Sequence, residues 1–339
     1  SAGVLVVISG LLGAGDIKQA QDAAHTSVAL YALMAAVMTV LGLLFVPQIL
    51  RLVQTPAAAM PEAKRYLYTV FAGTVFTFGY NLIGALQRGL GNAAASMSFV
   101  IISSAANIAL DAVFIVWLGM GAFGAALGTV LSQVAAFVIG TVQFARGGAA
   151  LRLSARAVRF HKKHLKNILL FGVPTALNEV MVNLAMLTVS GVANSFGLAS
   201  SAAYGVGSRI NSLAIFTDGA MNQTMSAYAS QNIGAGRQKR ALEGLWKAII
   251  LSAGAALGTS LLVLGLASEF SACFDSDPAV IEQSAAFLRV TVWSYPLFAT
   301  VGPLIGFIRG TGNVEASLLV GVVAQLCCRV PASFLFSRW

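Results

Sequence analysis

The sequence predicts an all-helical membrane protein built as two pseudo-symmetric lobes, and three observations carry that prediction. The first is composition: 58% of the 339 residues are hydrophobic and 10% charged, with a mean hydropathy of +0.81, against roughly a quarter charged in soluble domains. The second is segmentation, because long apolar stretches alternate with short Gly, Pro and Asp punctuation. The third is an internal echo. Ser9 to Asp16, with its Gly13-Ala14-Gly15, returns at Ser230 to Arg237, with Gly234-Ala235-Gly236. Arg88-Gly89-Leu90-Gly91-Asn92 likewise returns as Arg309-Gly310-Thr311-Gly312-Asn313. Both echoes are offset by 221 positions, as expected of a duplicated bundle and not of a solenoid of short units.

A spanning helix needs about 20 apolar residues, and the runs are too long for barrel strands. The first helix, 1–14, ends at Gly13-Ala14-Gly15; the second, 19–53, ends before Thr55-Pro56. Helices at 62–89 and 92–117 close on Gly89 to Gly91 and Gly119 to Gly121, and one at 122–146 runs into a basic stretch. The next four, at 166–195, 199–231, 238–270 and 278–309, stop at Gly197, Gly234 to Gly236, Asp275 to Pro278 and Gly310 to Gly312. A last one covers 313–339. Six helices separate the two Gly-Ala-Gly loops, so the chain returns in the same direction and the repeats are parallel. The expected organisation is an N-terminal lobe at 1–146, a basic linker at 147–165 and a C-terminal lobe at 166–339. These ten spans are about ten of an expected twelve, with the first helix of one lobe and the last of the other outside the sequence.

Basic residues give the orientation. Fourteen Lys and Arg fall on one side, among them Arg88, Arg309 and Arg146, Arg152, Arg156, Arg159, Lys162, Lys163 and Lys166 of the linker region, and four, Arg51, Lys64, Arg65 and Arg289, on the other, with Arg209, Arg329 and Arg338 set aside as lying within or at the end of apolar segments. The richer side is expected to be cytoplasmic. A net charge of +9 distributed this way does not indicate a nucleic-acid partner. Cys273, Cys327 and Cys328 form no disulfide framework, and His25, His161 and His164 no metal cluster. The Gly-rich loops lack the Lys-Ser/Thr of a nucleotide-binding loop, so no cofactor is expected.

Polar residues inside the apolar runs are the candidate functional groups. Asp111 lies about six residues from the outer end of its helix, roughly 9 Å, and Asn107 one turn deeper on the same face. Thr129 stands at a depth of roughly 10 Å on the next, oppositely running helix. The three can meet between adjacent helices. A carboxylate in hydrocarbon is costly unless it is partnered or faces water, so Asp111 is either a pin between helices or a functional group. In the second lobe, Glu179 and Arg209 stand at depths that allow an ion pair, with a structural lock and a cation or substrate role equally open. Asp218 reads as structural or solvent-facing, and Pro174 as the site of a kink.

Several motifs in order resemble one family. Leu12-Gly13-Ala14-Gly15-Asp16, Gln87-Arg88-Gly89-Leu90-Gly91-Asn92, Asn107-Ile108-Ala109-Leu110-Asp111 and Gly124-Ala125-Ala126-Leu127-Gly128-Thr129 mark the first lobe. Gly172-Val173-Pro174, Ala203-Tyr204-Gly205-Val206-Gly207-Ser208-Arg209 and Gln231-Asn232-Ile233-Gly234-Ala235-Gly236-Arg237 mark the second. Together they resemble the multidrug and toxic compound extrusion (MATE) family. The resemblance implies an antiporter, not an enzyme, that exports amphipathic organic cations by alternating access against inward flow of protons or sodium ions. It implies a bacterial plasma-membrane location, the bilayer and small organic cations as partners, and a monomer. Asn107, Asp111 and Thr129 match the polar cluster of the family's first lobe that binds the coupling cation, a sodium ion being the one metal expected there. That cluster also draws on an Asp from the family's first helix, which this chain does not contain. Glu179 stands farther from Pro174 than the coupling carboxylate of some relatives, and Asp218 departs from the family, which usually has a small or apolar residue there. Met181, Met186, Met221, Met225, Phe71, Phe76, Phe78 and Phe216 are candidates for lining a permissive pocket suited to varied apolar cations, against the plainer reading of contact with lipid or neighbouring helices. The rival readings are a lipid-linked precursor flippase, which needs a strongly cationic cavity, and a channel or intramembrane enzyme, for which no filter or catalytic set is present.

Overall fold

The computed structural model describes residues 1–147 and 151–336, without the side chains of 155, 198, 199, 213–216 and 336. The described chain consists of ten helical segments: α1 Ala2–Gly13, α2 Ile17–Leu52, α3 Met60–Gly89, α4 Ala93–Trp117, α5 Gly121–Arg146, α6 Lys162–Asn194, α7 Leu198–Gly234, α8 Gln238–Ala272, α9 Pro278–Gly310 and α10 Val314–Leu335. Among the described residues eight of these are long and apolar enough to cross a membrane. Their outer faces carry large bare hydrophobics such as Leu44, Val116, Trp246 and Leu261, as bilayer-facing helices must.

The 221-residue repeat is structural. Adding it to the start of α2, the end of α3 and the start of α4 gives the start of α8, the end of α9 and the start of α10. The loops repeat as well. Gly15 and Gly236 take φ of 75° and 71°, and Gly91 and Gly312 take 81° and 95°, a region where a side chain is strained. Asn92 then caps α4 by accepting from the Ala95 amide at 3.2 Å, and Asn313 caps α10 by accepting from Ala316 at 3.1 Å. A Cβ on Gly89 would press on Ile8 and the Leu5 carbonyl, and one on Gly310 on Ala229 and the Ser226 carbonyl, which is position 5 one period later. The same backbone approach therefore closes both bundles.

The chain divides into two compact units, one covering Gly3–Ile168 and the other running from Leu169. In the first, α3 packs between α2 and α5, and α4 packs along α5. In the second, α7 packs on α9 and α8 around a core that includes Val206, Ile210, Val263, Leu288 and Val292.

Here the two lobes differ. Segment α3 is one unbroken helix, whereas α9 is interrupted: it runs Pro278–Thr291, makes a 3-10 turn at Val292–Ser294 and a short turn of helix at Tyr295–Phe298, then resumes at Val301–Gly310. Pro296 and Pro303 lack the amides an uninterrupted helix would use, and the equivalent positions of α3 are Val75 and Leu82. Backbone groups freed inside a bilayer must be served by protein. Ser260 of α8 donates to the Val292 carbonyl at 3.1 Å, and the Asp218 carboxylate of α7 accepts from the Gly302 amide at 2.6 Å. Segment α6 continues as helix through Pro174, and α8 carries its kink at Leu266 (φ −121°, ψ 24°).

Candidate functional site

The seam between α4 and α5 collects the polar residues of the first lobe. The helices run antiparallel, and small side chains let them close. Ser103 donates to the Ser132 carbonyl at 2.6 Å, and Gln143 donates to Ser98 at 3.1 Å. Between these helices and α3 lies a cleft of about 290 Å³ lined by Tyr80, Ser103, Ser104, Asn107, Thr129, Ser132 and Gln133, with Val100, Ile108 and Ala136. Gln133 accepts from Thr77 of α3 and so ties the third wall in.

Asn107 and Thr129 both line this cleft. Asp111 follows one turn along α4, with its Oδ1 against Gly128, where any Cβ would collide with the carboxylate. The three residues singled out in the sequence for this lobe are therefore neighbours. Two of their atoms lack partners: Oδ1 of Asp111 and Nδ2 of Asn107 are buried without a hydrogen bond. Among the described residues no Lys, Arg or His comes within 4 Å of Asp111. An anionic oxygen buried without a donor is the arrangement that a cation or proton relieves. The backbone adds a second irregularity, for directly after Asp111 the helix widens into π geometry over Ala112–Trp117, a departure frequent at functional sites, and α10 has another at Val323–Arg329.

The second lobe is arranged otherwise. Glu179 and Arg209 do not form the ion pair that their depths allowed. Arg209 is exposed, while its neighbours Val206, Gly207 and Ile210 turn into the α8–α9 core, Gly207 lying against Phe287. Glu179 instead lies in electrostatic range of Arg309. Arg309 is 5% exposed, and its Nη1 donates to Oδ1 of Asn222 at 3.1 Å. By sequence this arginine is one of the fourteen on the basic side. It belongs to the last turn of α9, and its repeat Arg88 occupies the last turn of α3, donating to Ser96 at 2.8 Å. The recurrence of the Arg-Gly-x-Gly-Asn motif was the signal that these two are built in. Asp218, half-buried, is the acceptor for the α9 break described above.

Four of the drug-contact candidates have defined packing partners, and the side chain of Phe216 lies outside the described residues. Met225 is 3% exposed, in a small core with Leu245 and Ala248; Phe76 packs on Phe137 and Phe78 on Tyr31, ring centroids 6.2 and 6.0 Å apart; Phe71 fills the space over Gly42. Among the described residues no group of three or more His, Cys, Asp or Glu is placed to hold a metal ion, and the cleft beside Asp111 is lined by uncharged side chains.

Comparison with known proteins agrees with this fold. The probable multidrug resistance proteins YpnP and YoeA of Bacillus subtilis are each 27% identical to this chain, over 99% and 100% of it and 75% and 74% of their own lengths. The multidrug export protein MepA of Staphylococcus aureus is 24% identical over 93% of the chain and 71% of its own. A solved outward-facing multidrug resistance MATE family transporter of the MOP superfamily superposes with a TM-score of 0.93 at 23% identity, over 100% of this chain and 76% of that one. The MatE family profile matches residues 1–113 and 174–335. Duplicated bundle, apolar helices and matched profile together place this multi-pass membrane chain in the MatE family of transporters.

Proposed function

We propose that the chain performs cation-coupled export of amphipathic organic cations across a bacterial plasma membrane, by alternating access, with Asp111 as the group that takes the coupling proton or sodium ion. The observation that carries the reading is the buried, partnerless Oδ1 of Asp111 beside the Asn107–Thr129 cleft. Asp111 supplies the charge, and Asn107 and Thr129 supply neutral oxygens suited to a small monovalent ion. Coupling follows because a ligand shifts a conformational equilibrium only by its differential affinity: the cation favours one arrangement of the lobes and the organic substrate the other. The names of the relatives, multidrug resistance and multidrug export proteins, support an organic substrate.

The test is accumulation of a fluorescent organic cation inside everted vesicles, driven by an imposed pH or sodium gradient. Asp111→Asn keeps the shape and removes the titrating charge, so gradient-driven transport should fall to the level of empty vesicles while the protein is still made and inserted. Thr129→Val and Asn107→Ala each remove one hydrogen-bonding group, worth about 1 kcal/mol, and should weaken coupling about fivefold. Normal gradient-driven export by Asp111→Asn would assign Asp111 a structural role and refute the proposal.

A further inference from the structure

The linker between the lobes does more than connect α5 to α6. Residues 151–161 lie along the first turns of α2, and side chains of that helix hold them there. The Arg152 amide donates to Oε1 of Gln21 at 2.7 Å, and Gln21 Nε2 donates back to the Arg152 carbonyl. The Ser154 amide donates to Nε2 of His25 at 3.3 Å, and the His161 amide to Oγ1 of Thr26 at 3.2 Å, while Thr26 donates to the Arg159 carbonyl at 3.3 Å. Leu151 is 2% exposed and anchors one end, and the buried His164 anchors the other. This is a strap with its backbone pinned, not a loose connector.

Pinning the backbone leaves the side chains outward. Arg152, Arg156, Arg159, Lys162, Lys163 and Lys166 are all exposed, and among the described residues none has a carboxylate within 4 Å. Two make neutral contacts, Arg159 Nε to His161 at 2.9 Å and Lys163 Nζ to Gln19 at 2.7 Å. The nearby acids, Asp16 and Asp22, are fewer than the cations they face, and Asp22 lies 3.6 Å from His161. Phe160, 48% exposed, presents an aromatic ring amid the charges. The strap ends where α6, a spanning helix, begins at Lys162, so these groups stand at the level of the membrane surface.

We propose that the strap is a binding surface for the phosphate headgroups of anionic lipid in the leaflet it faces, with Phe160 inserted at the headgroup boundary. Orientation of the chain requires only that basic residues lie on one side. It requires neither a pinned backbone nor exposed cations free of carboxylate partners. A pinned backbone has already lost part of the freedom that lipid binding would otherwise remove, and each basic group near an anionic surface contributes about a fivefold gain in association.

The experiment is native mass spectrometry of the full chain released from micelles containing equal phosphatidylglycerol and phosphatidylcholine, in wild type and in the triple variant Arg152→Gln, Arg156→Gln, Lys162→Gln. None of those three side chains takes part in pinning the strap. Wild type should carry phosphatidylglycerol over phosphatidylcholine by at least tenfold, the preference should fall to near unity in the variant, and millimolar inorganic phosphate should not displace the lipid. Equal binding of the two lipids by wild type, or an undiminished preference in the variant, would overturn the proposal. Displacement by inorganic phosphate would also overturn it, by making the surface a free-phosphate site. Circular dichroism and elution volume establish that the variant is folded.

Discussion

Asp218 is a carboxylate in the interior of a membrane protein, and replacing it distinguishes a backbone cap from a titrating group. Its oxygen accepts from the Gly302 amide at 2.6 Å, at the first turn of the resumed helix Val301–Gly310. Asp218→Ala leaves that amide without an acceptor, which costs about 1–3 kcal/mol. It also removes an anion from a helix N-terminus, worth about 0.3–1 kcal/mol more. Asp218→Asn keeps an oxygen in the same place and replaces a charge-assisted bond by a neutral one, a loss of about 1 kcal/mol, while relieving the cost of holding a charge away from water. The expected order is therefore wild type close to Asn, with Ala lower by about 2–3 kcal/mol. Fluorescence-detected size exclusion after a heat challenge measures it, and efflux should follow the folded fraction. If Ala were as stable as wild type, the cap would be doing nothing; if Asn were stable yet inactive, Asp218 would be titrating during transport, and either result refutes the structural assignment.

Topology is checked by single-cysteine labelling in a background with Cys273, Cys327 and Cys328 replaced. Ser154→Cys, on the strap, should react with an impermeant thiol reagent only from the cytoplasm, and Ser276→Cys, in the exposed loop after α8, only from outside. Asp16 caps α2 through the Gln19 amide at 3.0 Å, and that bond, with the Gln19 side chain second, holds its carboxyl below the ordinary value of 3.8. A lowered native value means that the cap contributes fully above about pH 4 and is lost as the pH falls below it. Amide-exchange protection of residues 17–20, corrected for intrinsic rates, should therefore fall with acid in wild type and stay low at every pH in Asp16→Ala.

The features readable from the sequence are those set by local chemistry or by period. Segment boundaries follow from glycine and proline, and the repeat survives because closing each bundle demands the same glycine against the same carbonyl, Gly89 on Leu5 and Gly310 on Ser226. The Asn107, Asp111 and Thr129 neighbourhood was legible because depth along two antiparallel helices is arithmetic on the rise per residue. What depth alone cannot supply is azimuth. Depth allowed Glu179 and Arg209 to pair, but Arg209 is exposed and Glu179 lies in range of Arg309 instead. The break in α9 was hidden for a related reason: Pro296 and Pro303 mark it, but only the fold shows that Ser260 and Asp218, from two other helices, serve the freed backbone groups.

Duplication gave the two lobes one frame, and their carboxylates have since taken different work. In the second lobe Asp218 is engaged by a backbone amide and Glu179 lies in the field of Arg309. A charge that already has a partner responds weakly to an arriving cation, because binding must first undo that interaction. In the first lobe the corresponding arginine, Arg88, is engaged with Ser96 and not with Asp111, whose Oδ1 stands free beside a cleft of neutral polar groups. The carboxylate without a partner is the one whose energy changes most when a proton or sodium ion arrives. Differential affinity of that kind is what can be converted into a shift between conformations. On the proposed reading the asymmetry between the lobes follows from this: Asp218 of one lobe serves the broken helix, and Asp111 of the other stays available to a cation.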